Sequence, residues 1–505
     1  MFTCFCVRRK MDLAGAHGST VRSERKIIPY ASLIIDASAR DFAAAFWRTL
    51  VPLGDRVLLT TKVESLFGGS NHCLVTASVR SAFDLYLQAA AFPPGSEILV
   101  TAINIPQMIQ LIRHHKLIAV PVDIDIQTLA PLDDLESLVT SKTVAILVAH
   151  IFGHWIDISA VVDTAKKYGL VVLEDCAQSF VGLEERGHPS AVVSFFSFGA
   201  IKKCTGFGGA VGVVRDTDIL KKMREIQSSY PVLSRRSFLF RIIRYSFVAL
   251  FMNYPSFHTG GRHVANFFGF DHKEYVVGIL RTFPANFPEV LRYQPPVALL
   301  ATMVRQLTNI DKKGMQRNIE RCQYVEERLP ETIQMPGSKA NVKAYWLFPI
   351  IVRDPDAYIK QLNFLGVDAY RGATQLTYVE PRPGSVHGST DRDSKLDAKK
   401  VLGVHEEKAS NVLGMAGSLT GDVQGSQSKD TVVEPDPLDT LLSDWIGYVQ
   451  SAEGYPHKAR YLIEHVVYLP VHKLVPIDQL QKICDALVDA AKAIDGTKCD
   501  VSSKL

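Results

Sequence analysis

Between Glu97 and Ala177 the chain alternates short apolar runs with segments of helical period, and this alternation restricts the folds open to it. EILVTAI (97–103), LIAVPVDID (117–125), TVAILVAHIF (143–152) and LVVLEDCA (170–177) read as strands. PQMIQLIRHH (106–115), PLDDLESLV (131–139) and DISAVVDTAKKYG (157–169) read as the helices between them. Strands that are apolar throughout, rather than on alternate residues, are buried on both faces. The pattern therefore predicts an α/β protein with a mostly parallel sheet covered by helices. Ligands of such sheets sit at the carboxyl ends of the strands, so the polar residues that close these runs are where chemistry is expected.

A chain of 505 residues is too long for one ordinary core,. The sequence divides into a leader and N-terminal helical segment (1–60), a large domain (61–290) and a smaller α+β C-terminal domain (291–505). In the last of these, YWLFPIIV, AYIKQLNFLGV, HVVYLPV and IDQLQKICDALVDAA read as its strands and helices. A stretch at 384–437 has no aromatic residue and is rich in Gly, Ser, Asp and Lys, the composition of a disordered insertion,. The formal charge of +4 is small for this length and argues against a nucleic-acid binder,. Eight scattered cysteines without a CxxC pair fit reduced thiols and a cytoplasmic protein,. The most apolar stretch, RRSFLFRIIRYSFVALFMNYP (235–255), has a charge-free run well short of the roughly 20 residues that span a bilayer,. It reads as a helix packed on protein, with peripheral membrane contact as the alternative.

Three features carry chemistry together. LEDCAQS (173–179) puts Asp175 at the end of an apolar strand. VVSFFSFGAIKKCTGFGGAV (192–211) puts Lys202 just after the next strand and before a glycine cluster. TASVRSAFDLYLQAA (76–90) reads as a polar turn opening a helix, whose free N–H groups suit a phosphate,. Each has an ordinary structural explanation: a helix-capping aspartate, a loop lysine, a capped helix. One cofactor asks for all three. Pyridoxal phosphate needs a lysine for its Schiff base, a carboxylate to keep its ring nitrogen protonated and a phosphate cradle, to which a hydroxyl such as Ser197 can add.

At these residues the sequence resembles the DegT/StrS family of sugar aminotransferases, which have the fold-type-I pyridoxal-phosphate enzyme architecture. The likeness spans about 76–380 and resumes over about 438–490. FSFGAIKKCTGFGGAV is similar to the family's FSFGPxKxCTALGGGV, which implies Lys202, not Lys203, as the Schiff-base lysine and Ser197 as a phosphate-binding serine. LEDCAQS is similar to the family's EDxAQ, which implies Asp175 at the ring nitrogen and Gln178 beside the ring oxygen. SVRSAF (78–83) is similar to the SGRSAL turn, which implies the backbone amides of Val79 and Arg80 on the phosphate. VAHIFGHWIDI (148–158) is similar to HLxGxxxDM. Val79 replaces the turn glycine, TAINIPQMIQ (101–110) lacks the usual ring-stacking aromatic and offers Ile103 or Ile105, and LRYQPPVALL (291–300) matches poorly where the family supplies an asparagine from a neighbouring subunit.

The resemblance implies a homodimeric aminotransferase that moves an amino group from an amino acid such as glutamate to a keto sugar, nucleotide-linked in many relatives. Two other readings stand beside it. A deoxysugar dehydratase of the same fold carries histidine where this chain has Lys202. A catalytically inactive scaffold or membrane-associated binding protein fits the departures at Val79 and 101–110, but not the retained Lys202, Asp175, Gln178 and Ser197. No metal site is read from the sequence.

Overall fold

The computed structural model describes residues 27–51, 54–268, 273, 278, 287–381 and 455–496. The leader before residue 27, the stretch 384–437 and LDTLLSDWIGYV (438–449) lie outside the described residues. In chain order the first strands are β1 (Cys73–Thr76), β2 (Glu97–Thr101), the short β3 (Ile103–Asn104), β4 (Ile118–Val122) and β5 (Thr143–Ala149). They are followed by the short β6 (His154–Trp155), β7 (Val171–Asp175), β8 (Val193–Ser197) and β9 (Ala210–Val214). Seven of them form one sheet in the order β1-β9-β8-β7-β5-β2-β4. β9 runs antiparallel to both of its neighbours and the remaining ladders are parallel. The predicted mostly parallel sheet is therefore present, with a single reversed strand.

The helices that close this layer are α1 (Ala39–Leu50), α2 (Arg56–Leu66), α3 (Val79–Ala90), α4 (Pro106–His114) and α5 (Ser159–Tyr168). Next come α6 (Thr217–Ser228), α7 (Arg235–Asn253) and α8 (Pro255–Phe268). Strand β8 shows why the runs are apolar throughout. Phe195 and Phe196 point to opposite faces, both are fully buried, and each belongs to a different core cluster,. Full burial of one such ring contributes about 1.5–3 kcal/mol. The segment 131–139 departs from the expected helix. It is a six-residue 3₁₀ turn (Asp133–Leu138) with no side-chain cap, too short to settle into an α-helix,.

The C-terminal part forms its own layer. After β10 (Val342–Lys343), β11 (Phe348–Ile351) pairs antiparallel with β13 (Val466–Leu469), while β12 (Thr377–Tyr378) crosses back to pair with β3. Helices 355–364 and 477–495 pack there around Tyr358, Leu362, Ile483 and Leu487, all fully buried. β10 also pairs with β6, so the 342–348 segment lies along the loop that follows β5.

Within 235–255, α7 is a helix laid on the protein. Phe238, Ile242, Tyr245, Val248, Ala249 and Met252 face inward, while Phe240, Phe247 and Phe251 are exposed. Among the described residues, no helix is long and apolar enough to cross a membrane.

Candidate active site

Strand ends gather the site. β5 closes on Ala149 and hands on to His150, β7 closes on Asp175, and β8 closes on Ser197. The turn after β1 holds Ser78, and β3 ends on Asn104. All of these line one cavity of about 660 Å³ together with Val79, Arg80, Gln178 and Lys202. The structure thus brings Val79, Arg80, Asp175, Gln178, Ser197 and Lys202 into a single cavity, at the carboxyl ends of parallel strands as the fold predicts,.

The turn before α3 is built for an anion. Ser78, extended at φ −165°, caps the helix by accepting from the Ser81 amide at 3.1 Å, and Ala82 N–H donates to the Ser78 carbonyl. The cap and the helical ladder therefore engage Ser81 and Ala82, and the amides of Val79 and Arg80 stand in the first turn, where a helix end suits an anion,. Val79 sits in the first helical turn and is not among the residues of positive φ, so the loss of the family's glycine costs no backbone strain here.

The loop after β8 carries the two lysines in different directions. Lys202 Nζ lies 3.4 Å from the centre of the Trp346 ring, inside the cavity that also holds Asp175. Lys203 Nζ donates to the Ala344 carbonyl at 2.6 Å and lines a separate cavity with Asp36 and His472. Burial pulls the Lys203 ammonium down to about 8, against the pull of Asp36,. Trp346 is itself fixed: its indole N–H donates to the Ile201 carbonyl at 2.6 Å and its amide to Phe152 at 3.0 Å. Gly153 permits that approach, because a side-chain carbon there would lie 2.1 Å from the Trp346 nitrogen and its φ is +89°,.

Asp175 is buried at 8 % exposure, and its carboxylate accepts from the Ala177 amide at 2.9 Å. Burial raises its pKa above the ordinary value, opposed by that hydrogen bond and by the charges of Lys202, His150 and Arg80,. Gln178 Oε1 accepts from the Phe152 amide at 2.8 Å, which leaves its NH₂ group as the donor available to the cavity,. His150 Nδ1 accepts from the Ile156 amide, so Nε2 is the protonated nitrogen and donates to Glu174 at 3.1 Å,. His150, Glu174 and Cys176 lie close enough to suggest a metal site. That carboxylate is already held by His150, Ser194 and the His188 amide, and burial pushes the Cys176 thiol well up, so the group reads as a hydrogen-bonded core cluster,.

Sequence reasoning missed several residues that line the cavity: His150, Trp346, Tyr245, and the α7 arginines Arg241 and Arg244. Trp346 brings an aromatic ring that TAINIPQMIQ lacks. Of the two candidates in that segment, Ile105 lines the cavity, while Ile103 is buried in the β3–β12 ladder. The arginines lie within 235–255, and the sequence does not tell which face of that helix turns toward the cavity.

Residues 52–235 match the DegT/DnrJ/EryC1/StrS aminotransferase family. GDP-perosamine synthase from Escherichia coli O157:H7 is 31% identical over 162 residues, covering 31% of this chain and 44% of that protein. UDP-N-acetyl-3-dehydro-alpha-D-glucosamine 3-aminotransferase from Acidithiobacillus ferrooxidans is 28% identical over 250 residues, 46% of this chain and 65% of the relative. The chain thus spans from under half to just under two thirds of the length of these curated relatives. Among solved structures, E. coli GDP-4-keto-6-deoxy-D-mannose-3-dehydratase with bound hydrated PLP is 14% identical with a TM-score of 0.55, covering 92% of this chain and all of that one. The fold-type-I architecture read from the motifs is borne out by this likeness, and the family resemblance by the match over 52–235.

Proposed function

On the resemblance of residues 52–235 to the DegT/DnrJ/EryC1/StrS aminotransferase family, we propose that the protein is a pyridoxal-phosphate-dependent aminotransferase. It takes an amino group from an amino acid, glutamate in this reading, and gives it to a keto sugar that is nucleotide-linked. The observation that carries the reading is the meeting of Lys202 and the buried Asp175 in one cavity that the α3 turn also lines.

The donor set fits the cofactor. Asn104 Nδ2 is buried in the cavity wall with no hydrogen-bond partner, so the cavity is short of acceptors,. A buried carboxylate whose ionisation is penalised by burial also calls for a cation beside it,. In this reading Val79 and Arg80 amides and the Ser197 hydroxyl would hold the phosphate, Gln178 would face the ring oxygen, and Asp175 would pair with the ring nitrogen. Bound there, the cofactor supplies the electron sink that acidifies the C–H bond beside the donor's amine. Lys202 Nζ would serve there as the general base that takes the proton from the donor's α-carbon, and as the acid that gives it up again. Trp346 sets where that nitrogen lies through contact with its ring face,.

The reading includes a cytoplasmic homodimer. Phe240, Phe247 and Phe251 on α7 and Trp47 and Leu50 on α1 are the exposed apolar surface that a second copy would cover,. The function is tested by adding candidate amino donors to the cofactor-loaded protein and following both the cofactor's visible absorbance and the keto acid released. Fading of the absorbance with one keto acid per site supports transamination. A loaded protein whose absorbance no amino acid changes fits the scaffold reading instead.

A further inference from the structure

Helix α7 brings more positive charge to the cavity than one phosphate cradle explains. Arg241 and Arg244 stand three residues apart, on neighbouring positions of the helix surface, and both line the cavity,. They flank the buried Ile242 and Tyr245, whose packing fixes the face that the helix turns inward. With Arg80 and Lys202 they place four cationic side chains around the cavity against one carboxylate among the described residues, that of Asp175.

Of the two guanidinium groups, that of Arg244 lies 5.4 Å from the centre of the Tyr245 ring. Among the described residues neither forms an ion pair with a carboxylate, and Arg244 Nε is buried with no hydrogen-bond partner. Arg241 rests on the glycine cluster after Lys202: a side-chain carbon at Gly208 would come within 2.6 Å of Arg241 Nη1. The next residue, Gly209, donates its amide to the Ala77 carbonyl, at the turn that opens α3. Arg241 therefore reaches the side of the cavity where Ser78 and the Val79 amide lie. Burial lowers the Arg80 guanidinium to about 10, Tyr245 and Asp175 oppose that, and repulsion from Arg241 adds a smaller lowering,. Like charges converging on a partly desolvated cavity cost free energy unless an anion joins them.

We infer that Arg241 and Arg244 form an anion site within this cavity, supplied by the same chain that supplies Lys202, and that it takes a phosphate or carboxylate group. Two sources can fill it: the cofactor's phosphate, or an acidic group on a substrate. Guanidinium is suited to either, since its planar N–H fork matches both oxyanions. The inference rests on the proposed function only for the name of the first source; the site itself is argued from the arginines.

The test compares the wild-type protein with Arg241→Gln/Arg244→Gln, with Arg241→Lys/Arg244→Lys, and with Arg236→Gln, an exposed position on the same helix. Inorganic pyrophosphate and succinate are titrated by calorimetry, on protein with and without cofactor. Pyridoxal phosphate and pyridoxal are titrated by absorbance. Loss of charge-assisted hydrogen bonds should weaken the relevant ligand on the order of tenfold or more. If the glutamine pair weakens pyridoxal phosphate and leaves pyridoxal unchanged, the anion is the cofactor's phosphate. If pyridoxal phosphate is unchanged but pyrophosphate or succinate binding to the loaded protein is lost, the anion belongs to a substrate. Unchanged pyridoxal binding reports an intact fold, the lysine pair should keep much of the affinity, and Arg236→Gln should match wild type. Wild-type protein that takes up no pyridoxal phosphate overturns the proposed function, and the cofactor-free titrations then decide the anion site alone. The inference is overturned if the glutamine pair binds all of these anions as wild type does, or if the wild type binds none of them.

Discussion

Asp175 is the residue on which the chemistry turns. In the cofactor-free protein its carboxyl is raised above 3.8, chiefly by burial, so the stability it contributes is fully present below 3.8 and is lost as pH climbs through the raised value. A cation placed against it reverses that sign. The stabilisation that pyridoxal phosphate gives the protein should therefore grow as pH rises through the acidic range, a trend readable from melting temperatures with and without cofactor. In Asp175→Asn that pH dependence should flatten, and turnover should fall about a hundredfold or more. Lys203 is the neighbouring control. Its ammonium is lowered to about 8, mainly by burial, so the wild type carries a penalty below about 8 that fades as pH rises toward the ordinary 10.5. The stability of wild type relative to Lys203→Met should accordingly improve above about 8 in denaturant unfolding, while cofactor uptake is unchanged. Cofactor uptake lost with Lys203 would assign the chemistry to the wrong lysine.

At the scale of elements, α3 unites stability and binding. Ser78→Ala removes the cap on Ser81 and should lower the unfolding free energy by about 1 kcal/mol, while loosening the turn that presents the Val79 and Arg80 amides. Weaker binding of pyridoxal phosphate, with pyridoxal unaffected, is the expected companion in an absorbance titration. This element was legible in the sequence because its polar turn and its helix lie within fifteen residues, 76–90. The strands ending on Asp175 and Ser197 were legible for the same local reason: burial on both faces writes continuous apolar runs. Trp346, Arg241 and Arg244 were not. They reach the cavity from elements far from Lys202 in the chain, through β10 docking on β6 and through the inward turn of α7, and no local period encodes such meetings. The misreading of 131–139 has a smaller cause, since a six-residue uncapped segment satisfies a helical pattern without enough length to propagate it,.

Across the whole molecule, the cavity is assembled from residues as distant as Ala77 and Leu376. The large sheet supplies Asp175, Ser197 and the lysine loop, and the C-terminal layer closes over them with Trp346 and the 374–376 turn. Neither part alone encloses the site. The most direct test of this account is to incubate the purified full chain with pyridoxal phosphate, reduce with borohydride and map the modified lysine by mass spectrometry. The account predicts a visible absorbance band and a single adduct on Lys202, both absent from Lys202→Ala and both retained in Lys203→Ala. An adduct on Lys203, or no band from the wild type at saturating cofactor, would contradict it.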